Sequence, residues 1–184
     1  MAYATAEEFA VLLGRGEDGL TENERARAEL NLELATGEID NATGQSLQLA
    51  SQTETLDGPG GRHLILPRWP VTAIDSVTVL DEDDEPTELV YGTDYRWSTN
   101  GILTRRRCYW PCRQRSVIVA WTAGHAPIPA VARSICLRLA RSGWENPAGK
   151  TSERLADWQA AWAVAGIALT TEEINRLGPY SART

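Results

Sequence analysis

Apolar positions follow two different periods along this chain, and the places where the period changes divide it into three stretches. At the start, Thr5 with Glu8 forms a capping box ahead of a short helix, Ala6–Leu13, with Phe9 and Leu12 or Leu13 on one face; Gly14 and Gly16 stop it. A second box, Thr21 with Glu24 and Leu20 as a candidate staple, opens a helix from about Glu22 to Ala42. Leu30, Leu34 and Ala35 are expected to share its buried face, continued by Ile39 and Ala42. Gly37 inside this helix costs roughly 1 kcal/mol relative to alanine, so it is either tolerated or marks a close helix contact. Gly44 ends the helix.

From Leu47 to Thr122 the period moves towards two. Gln48–Leu56 alternates weakly, and Asp57-Gly58-Pro59-Gly60-Gly61 reads as a turn. His63–Leu66, Ile74–Leu80, Leu89–Tyr91, Tyr95–Ser98, Ile102–Thr104 and Ser116–Thr122 read as strands, with Asn100-Gly101 as a hairpin turn of the primed type. Strict alternation puts Ile74, Ser76, Thr78 and Leu80 on one side and Asp75, Val77 and Val79 on the other. Pro67 and Pro70 force a kinked, extended crossing between two of the strands. Trp69 between them is expected to be substantially buried against helices or sheet.

Helix returns at Pro129, where Ile128, Val131, Ile135 and Leu139 form a stripe with Ala132 and Cys136 beside it. Asn146-Pro147-Ala148-Gly149 breaks it. Ser152–Ala165 is then expected to be helical, with Leu155, Trp158 and Trp162 on one side, before a last short helix, Thr171–Leu177. The expected fold class is α+β: a mainly α-helical bundle with a small inserted antiparallel β-sheet and a flexible C-terminal arm. In domain terms, residues 1–145 form one domain with helices at 6–13, 22–43 and 129–142 and a β insert at 47–122, and residues 146–184 form a helical arm.

Composition narrows the function. The chain has 184 residues and a net charge of −7, which argues against a dedicated nucleic-acid binder. With no apolar run of membrane-span length and no signal-peptide pattern, a cytoplasmic protein without membrane contact is expected. Three cysteines, Cys108, Cys112 and Cys136, lack the spacing of a zinc site and read as reduced thiols. No phosphate loop, nucleophile elbow or clustered acid and base stands out, so neither an enzyme nor a cofactor is expected. The acidic run Asp81–Glu85 offers oxygens to a hard cation but lacks the alternation of a calcium loop; a solvated hairpin tip is the simpler reading.

Arg105, Arg106 and Arg107, with Tyr109, Trp110, Arg113 and Arg115, suit phosphate contact and base stacking. They equally suit a protein interface, which the acidic total favours, with Arg105, Arg107 and Trp110 as its candidates. Leu155, Trp158, Trp162, Tyr180 and Arg183 form a second set: either a final core helix or a docking arm anchored by its tryptophans.

An ordered set of motifs runs through nearly the whole chain. It comprises Tyr3-Ala4-Thr5, Arg25–Ile39 leading into Thr43-Gly44, Leu64–Val71, Ile74–Val79, Tyr91–Tyr95, Ile118–Gly124 and Pro127–Ala132. This set resembles the head–tail connector (head-to-tail adaptor) proteins of long-tailed phages and of phage-derived particles such as gene transfer agents. The tail from Thr151 to Trp158, with Leu169–Glu173 and Leu177, resembles actinobacteriophage members. The resemblance implies a non-enzymatic virion protein, assembled as a dodecameric ring beneath the portal, that extends the DNA channel and carries the stopper. Implied partners are portal, stopper and further copies of itself, with non-specific proximity to DNA. The implied location is the virion neck, reached from the host cytoplasm during assembly. The Arg105–Arg115 stretch with its two cysteines has no match in the family pattern. The competing reading is a cellular, non-enzymatic interaction module with a β insert.

Overall fold

The computed structural model describes residues 2–147, 152–155, 158–161 and 166–182, with the side chains of 152–161 left aside. The elements in order are α1 (Ala6–Leu12), α2 (Glu22–Thr43), β1 (Ala50–Leu56), β2 (His63–Ile65), β3 (Val71–Leu80), β4 (Pro86–Glu88) and β5 (Tyr95–Trp97). They continue with β6 (Ile102–Arg105), β7 (Val117–Ala123), α3 (Ala130–Glu145), β8 (Ser152–Leu155), β9 (Trp158–Ala161) and α4 (Thr171–Leu177). The chain divides into two compact units. Unit 1 takes Met1–Gly44 and Pro127–Ser181; Gln45–Ala126 make up most of unit 2.

In unit 1, three helices start on reciprocal capping boxes: Thr5 with Glu8, Thr21 with Glu24, and Thr170 with Glu173. Each threonine hydroxyl accepts an N–H of the first turn, and the glutamate carboxylate returns to the threonine N–H. Gly44 closes α2 at φ 68°, the left-handed conformation that a side chain disfavours. Ala28, Leu32, Ala35 and Ile39 of α2 are buried, as are Ala132, Ile135, Cys136, Leu139 and Ala140 of α3. Small residues on both helices let the backbones approach closely. Thr36 Oγ1 lies 3.6 Å from Cys136 Sγ, and burial pushes the Cys136 thiol up from its ordinary pKa. Phe9 meets Trp144 edge-on at 5.6 Å, and the Arg27 guanidinium lies over the same indole at 4.4 Å. Arg138 and Glu173 form a two-point ion pair that fastens α4.

In unit 2, β1-β7-β3-β4 form one antiparallel sheet and β2-β6-β5 another. A single core fills the unit, built from Leu64, Leu66, Val71, Val77, Tyr95, Leu103, Trp110, Val117, Val119 and Trp121 among others. The proline-bounded stretch is the crossing between sheets: Leu66 N–H donates to Gly101 O and Val71 N–H to Thr99 O. Arg68 holds the start of the unit by donating to Ser46 O, Gln48 O and Gln52 Oε1 at 2.7–3.1 Å.

Several expectations change. The fold is a mixed α+β structure and not a mainly helical bundle, because the middle segment builds two sheets around a core of its own. The buried face of α2 is the Ala28–Leu32–Ala35–Ile39 stripe, whereas Leu30 and Leu34 are exposed at 56% and 51%. Both stripes repeat at helical spacing, and alanine's small size lets it pack as core where leucine was expected. Among the described residues nothing lies within 4 Å of a Cβ built on Gly37, so it marks no close contact with any of them. Strict alternation fails in β3, because a register shift between Ile74 and Ser76 brings Ile74 onto the core with Val77 and Val79. Leu89–Tyr91 is not a strand. Trp69 is half-buried; Leu66 and Val71, flanking it, are the residues that reach the core.

The glycine-rich stretch is more than a turn. Gly58 and Gly60 N–H donate to Arg113 O and Pro111 O, and Trp110 N–H to Gly61 O. This zips residues 58–61 to 110–113. A Cβ on Gly58 would collide with the Pro111 carbonyl, so the close pairing requires glycine. The helix expected over Ser152–Ala165 is replaced by β8 paired with β9, since apolar spacing alone does not separate helix from hairpin in so short a run. Residues 162–165 lie outside the described residues. Nor is the end of the chain a free arm: Ser142 Oγ donates to Gly166 O, Arg138 pairs with Glu173, and Leu177 is buried in unit 1.

Candidate interaction surfaces

The structure brings only part of the arginine-rich set to the surface. Trp110 is 2% exposed and belongs to the core of unit 2, with its Nε1–H donating to Arg62 O at 3.1 Å. Arg105 is half-buried, its guanidinium 5.4 Å from the Trp110 ring centre. Arg113 pairs with Asp84 and donates to Asp81 O. Arg106 donates to Gly92 O, and its own N–H goes to Asp94 O. What remains exposed is the tip, Arg107, Cys108 and Tyr109 (Tyr109 at 68%), together with Arg115, whose N–H donates to Asp57 Oδ1. The tip is pinned at both ends, at Arg106 and at Trp110, and is therefore preorganised.

The acidic run closes on itself. Asp81 Oδ1 accepts the N–H groups of Asp83 and Glu85 at 3.0 and 2.9 Å, which makes it a hairpin tip between β3 and β4. Among the described residues, no group of three His, Cys, Asp or Glu is placed to hold a metal ion. Also among them, no helix is long and apolar enough to cross a membrane.

Of the C-terminal set, Tyr180 is half-buried. Leu155 closes β8 and Trp158 opens β9, opposite each other in the hairpin register. Trp162 and Arg183 lie outside the described residues.

Sequence reasoning missed the outer face of α2. Leu30 and Leu34 are exposed there, beside Glu29, Glu33 and Glu38, which form no ion pair with the described residues. Both α2 arginines are engaged inside unit 1, Arg25 with Glu7 and Arg27 with the Trp144 carbonyl. Next to this face lies a groove of about 410 Å³, floored by Ala2, Ala4, Ala6 and Leu32 and rimmed by Glu7, Glu29 and Glu33. The carboxyl of Glu7 is held below the ordinary range by a backbone N–H, by Thr5 and by Arg25. The pattern itself carries the signal: placing Ala28, Leu32, Ala35 and Ile39 inside turns Leu30 and Leu34 outward, exposed among the described residues. A second concave patch, about 560 Å³, lies on the outer side of the three-stranded sheet, centred on Ile65 and Ile102.

Both are concave apolar patches with polar or charged rims, and among the described residues no acid, base and nucleophile converge on either. The chain shares its fold with chains of gene transfer agent particles. It aligns with one in the virion of the native gene transfer agent at TM-score 0.68 and 20% identity, over 99% of this chain and 91% of that one. It aligns with one in the neck of the empty particle, computed with C6 symmetry, at 0.63 and 19%, over 99% and 91%. With one in the native neck, computed with C12 symmetry, the values are 0.59 and 17%, over 97% and 92%. No family model and no curated protein matches the sequence.

Proposed function

We propose that this chain is a structural protein of the neck of a phage-like particle: a head-to-tail adaptor that forms a ring beneath the portal, continues the DNA channel and carries the next neck component. The observation that carries this reading is the fold match along 97–99% of the chain to chains of gene transfer agent particles, two of them in necks. The chemistry supports it. A chain of net charge −7 does not grip phosphates, so DNA slides past it. Its surface offers apolar patches and no reaction centre. Residues 146–165, with Leu155, Trp158 and Trp162, are the proposed portal-docking segment, whereas α4 is fastened to α3 through Arg138 and Glu173.

The test is reconstitution. Purified protein mixed with portal-bearing heads is expected to add a ring of density beneath the portal in electron micrographs. Trp158→Ala with Trp162→Ala is expected to abolish that density while leaving the melting temperature within about 2 °C, the outcome the docking reading requires. Heads that gain no density from the native protein refute the adaptor reading. Attachment by the double variant moves the portal contact elsewhere.

A further inference from the structure

We propose that the exposed tip Arg107–Tyr109 in unit 2 of one copy docks into the groove beside α2 in unit 1 of a second copy, a head-to-tail contact that propagates around the ring. This rests on the neck reading above and names the contact by which copies join.

The two surfaces are complementary in charge and shape. The groove has an alanine floor, a rim that includes the carboxylates Glu29 and Glu33, which form no ion pair with the described residues, and Leu30 and Leu34 exposed alongside. Its volume of about 410 Å³ accommodates one aromatic side chain with its neighbour. The tip presents an arginine that forms no hydrogen bond or ion pair with the described residues, and a tyrosine 68% exposed. Arginine and tyrosine are favoured anchors at interfaces, and docking would remove both an exposed apolar face and unpaired charge of each sign. The tip backbone is already fixed at Arg106 and Trp110, so little backbone ordering entropy opposes docking. Because the two surfaces are different patches of the same chain, the contact is heterologous, the kind that closes into a ring when the rotation closes.

Cys108 at the tip provides a built-in probe, being exposed, whereas Cys136 is buried. Neck-bearing particles are assembled with the Glu33→Cys, Cys112→Ser variant and mildly oxidised. The expected result is a ladder of covalent multimers of this chain on non-reducing gels. The ladder is expected to vanish when Cys108→Ser is added, and to be absent with Cys112→Ser alone. Arg107→Glu should lower the ladder yield about tenfold or more, and adding Glu29→Arg should restore it. Particles that contain the variant chain but give no ladder, or a ladder indifferent to Cys108→Ser, overturn this contact and leave the neck reading standing. Cross-linking of the thiol introduced on α2 to a different protein does the same. Particles that never incorporate the chain overturn both.

Discussion

Unit 1 closes its helices on alanines and one glycine, whereas unit 2 closes its sheets on tryptophan, tyrosine and branched aliphatics. Ala28, Ala35, Ala132, Ala140 and Gly143 line the helix contacts. A Cβ on Gly143 would lie 2.7 Å from Ile167 and 3.0 Å from Asn31 Oδ1. In the sheets, Trp110 and Trp121 are among the largest fully buried side chains. The difference follows from geometry. Helices surrender volume to close approach and gain specificity from small residues, while two facing sheets leave a layer about 10 Å thick that only large side chains fill. Unit 1 is accordingly sensitive to added volume at these small residues, which sit beside its own large buried side chains Phe9, Leu32, Ile39 and Leu139, and unit 2 to lost volume. Unit 1 also relies on polar fasteners, Arg27 on Trp144 and Arg138 with Glu173.

Four substitutions break or sharpen this contrast, the largest effect first. Trp121→Ala is expected to cost about 3–5 kcal/mol in chemical denaturation, because it empties the middle of the sheet core. A loss below about 1 kcal/mol would show that unit 2 does not depend on its large residues. Gly143→Leu adds volume where unit 1 has none and is expected to cost about 1–3 kcal/mol; an unchanged denaturation midpoint would mean that α3 and the segment at Ile167 separate freely.

The third tests the ion pair. Burial alone would raise the Glu173 carboxyl, but the Thr170 N–H and hydroxyl and the Arg138 guanidinium outweigh it and hold the pKa below the ordinary 4.5. A lowered folded pKa means stability that is present in full above the unfolded value and lost as pH falls through the folded one. Glu173→Gln is therefore expected to cost about 1–2 kcal/mol at pH 7, discounted for the partly exposed arginine, and little once both forms are acidified well below pH 4. A cost independent of pH would assign the effect to packing.

The smallest effect is a gain. Gly37 is helical, exposed and unobstructed, so Gly37→Ala is expected to stabilise the isolated protein by about 0.4–1 kcal/mol. A loss on thermal melting would reveal a contact at this face in the isolated protein.

Much of this was legible in the residues. The capping boxes at Thr5 and Thr21, the stop at Gly44, the hairpin at Asn100-Gly101 (with Gly101 but not Asn100 in the left-handed region, so not the primed turn expected) and the strand ending in Val-Ile-Val-Ala-Trp-Thr all rest on interactions between near neighbours, which local sequence encodes. The proline-bounded crossing was legible for the same reason, since a missing N–H and a fixed φ act on the spot. Tertiary structure decided the rest. Which of two helical stripes on α2 faces inward depended on how closely α3 approaches, and so on the small residues of a helix far along the chain. The bulge that puts Ile74 on the core depended on its pairing with β7. Trp110 became core and Arg107 stayed free because residues 58–61, distant in sequence, zip onto 110–113. Periodicity states that a residue prefers to be buried; only the arrival of a partner element determines whether its own chain buries it or leaves it for another.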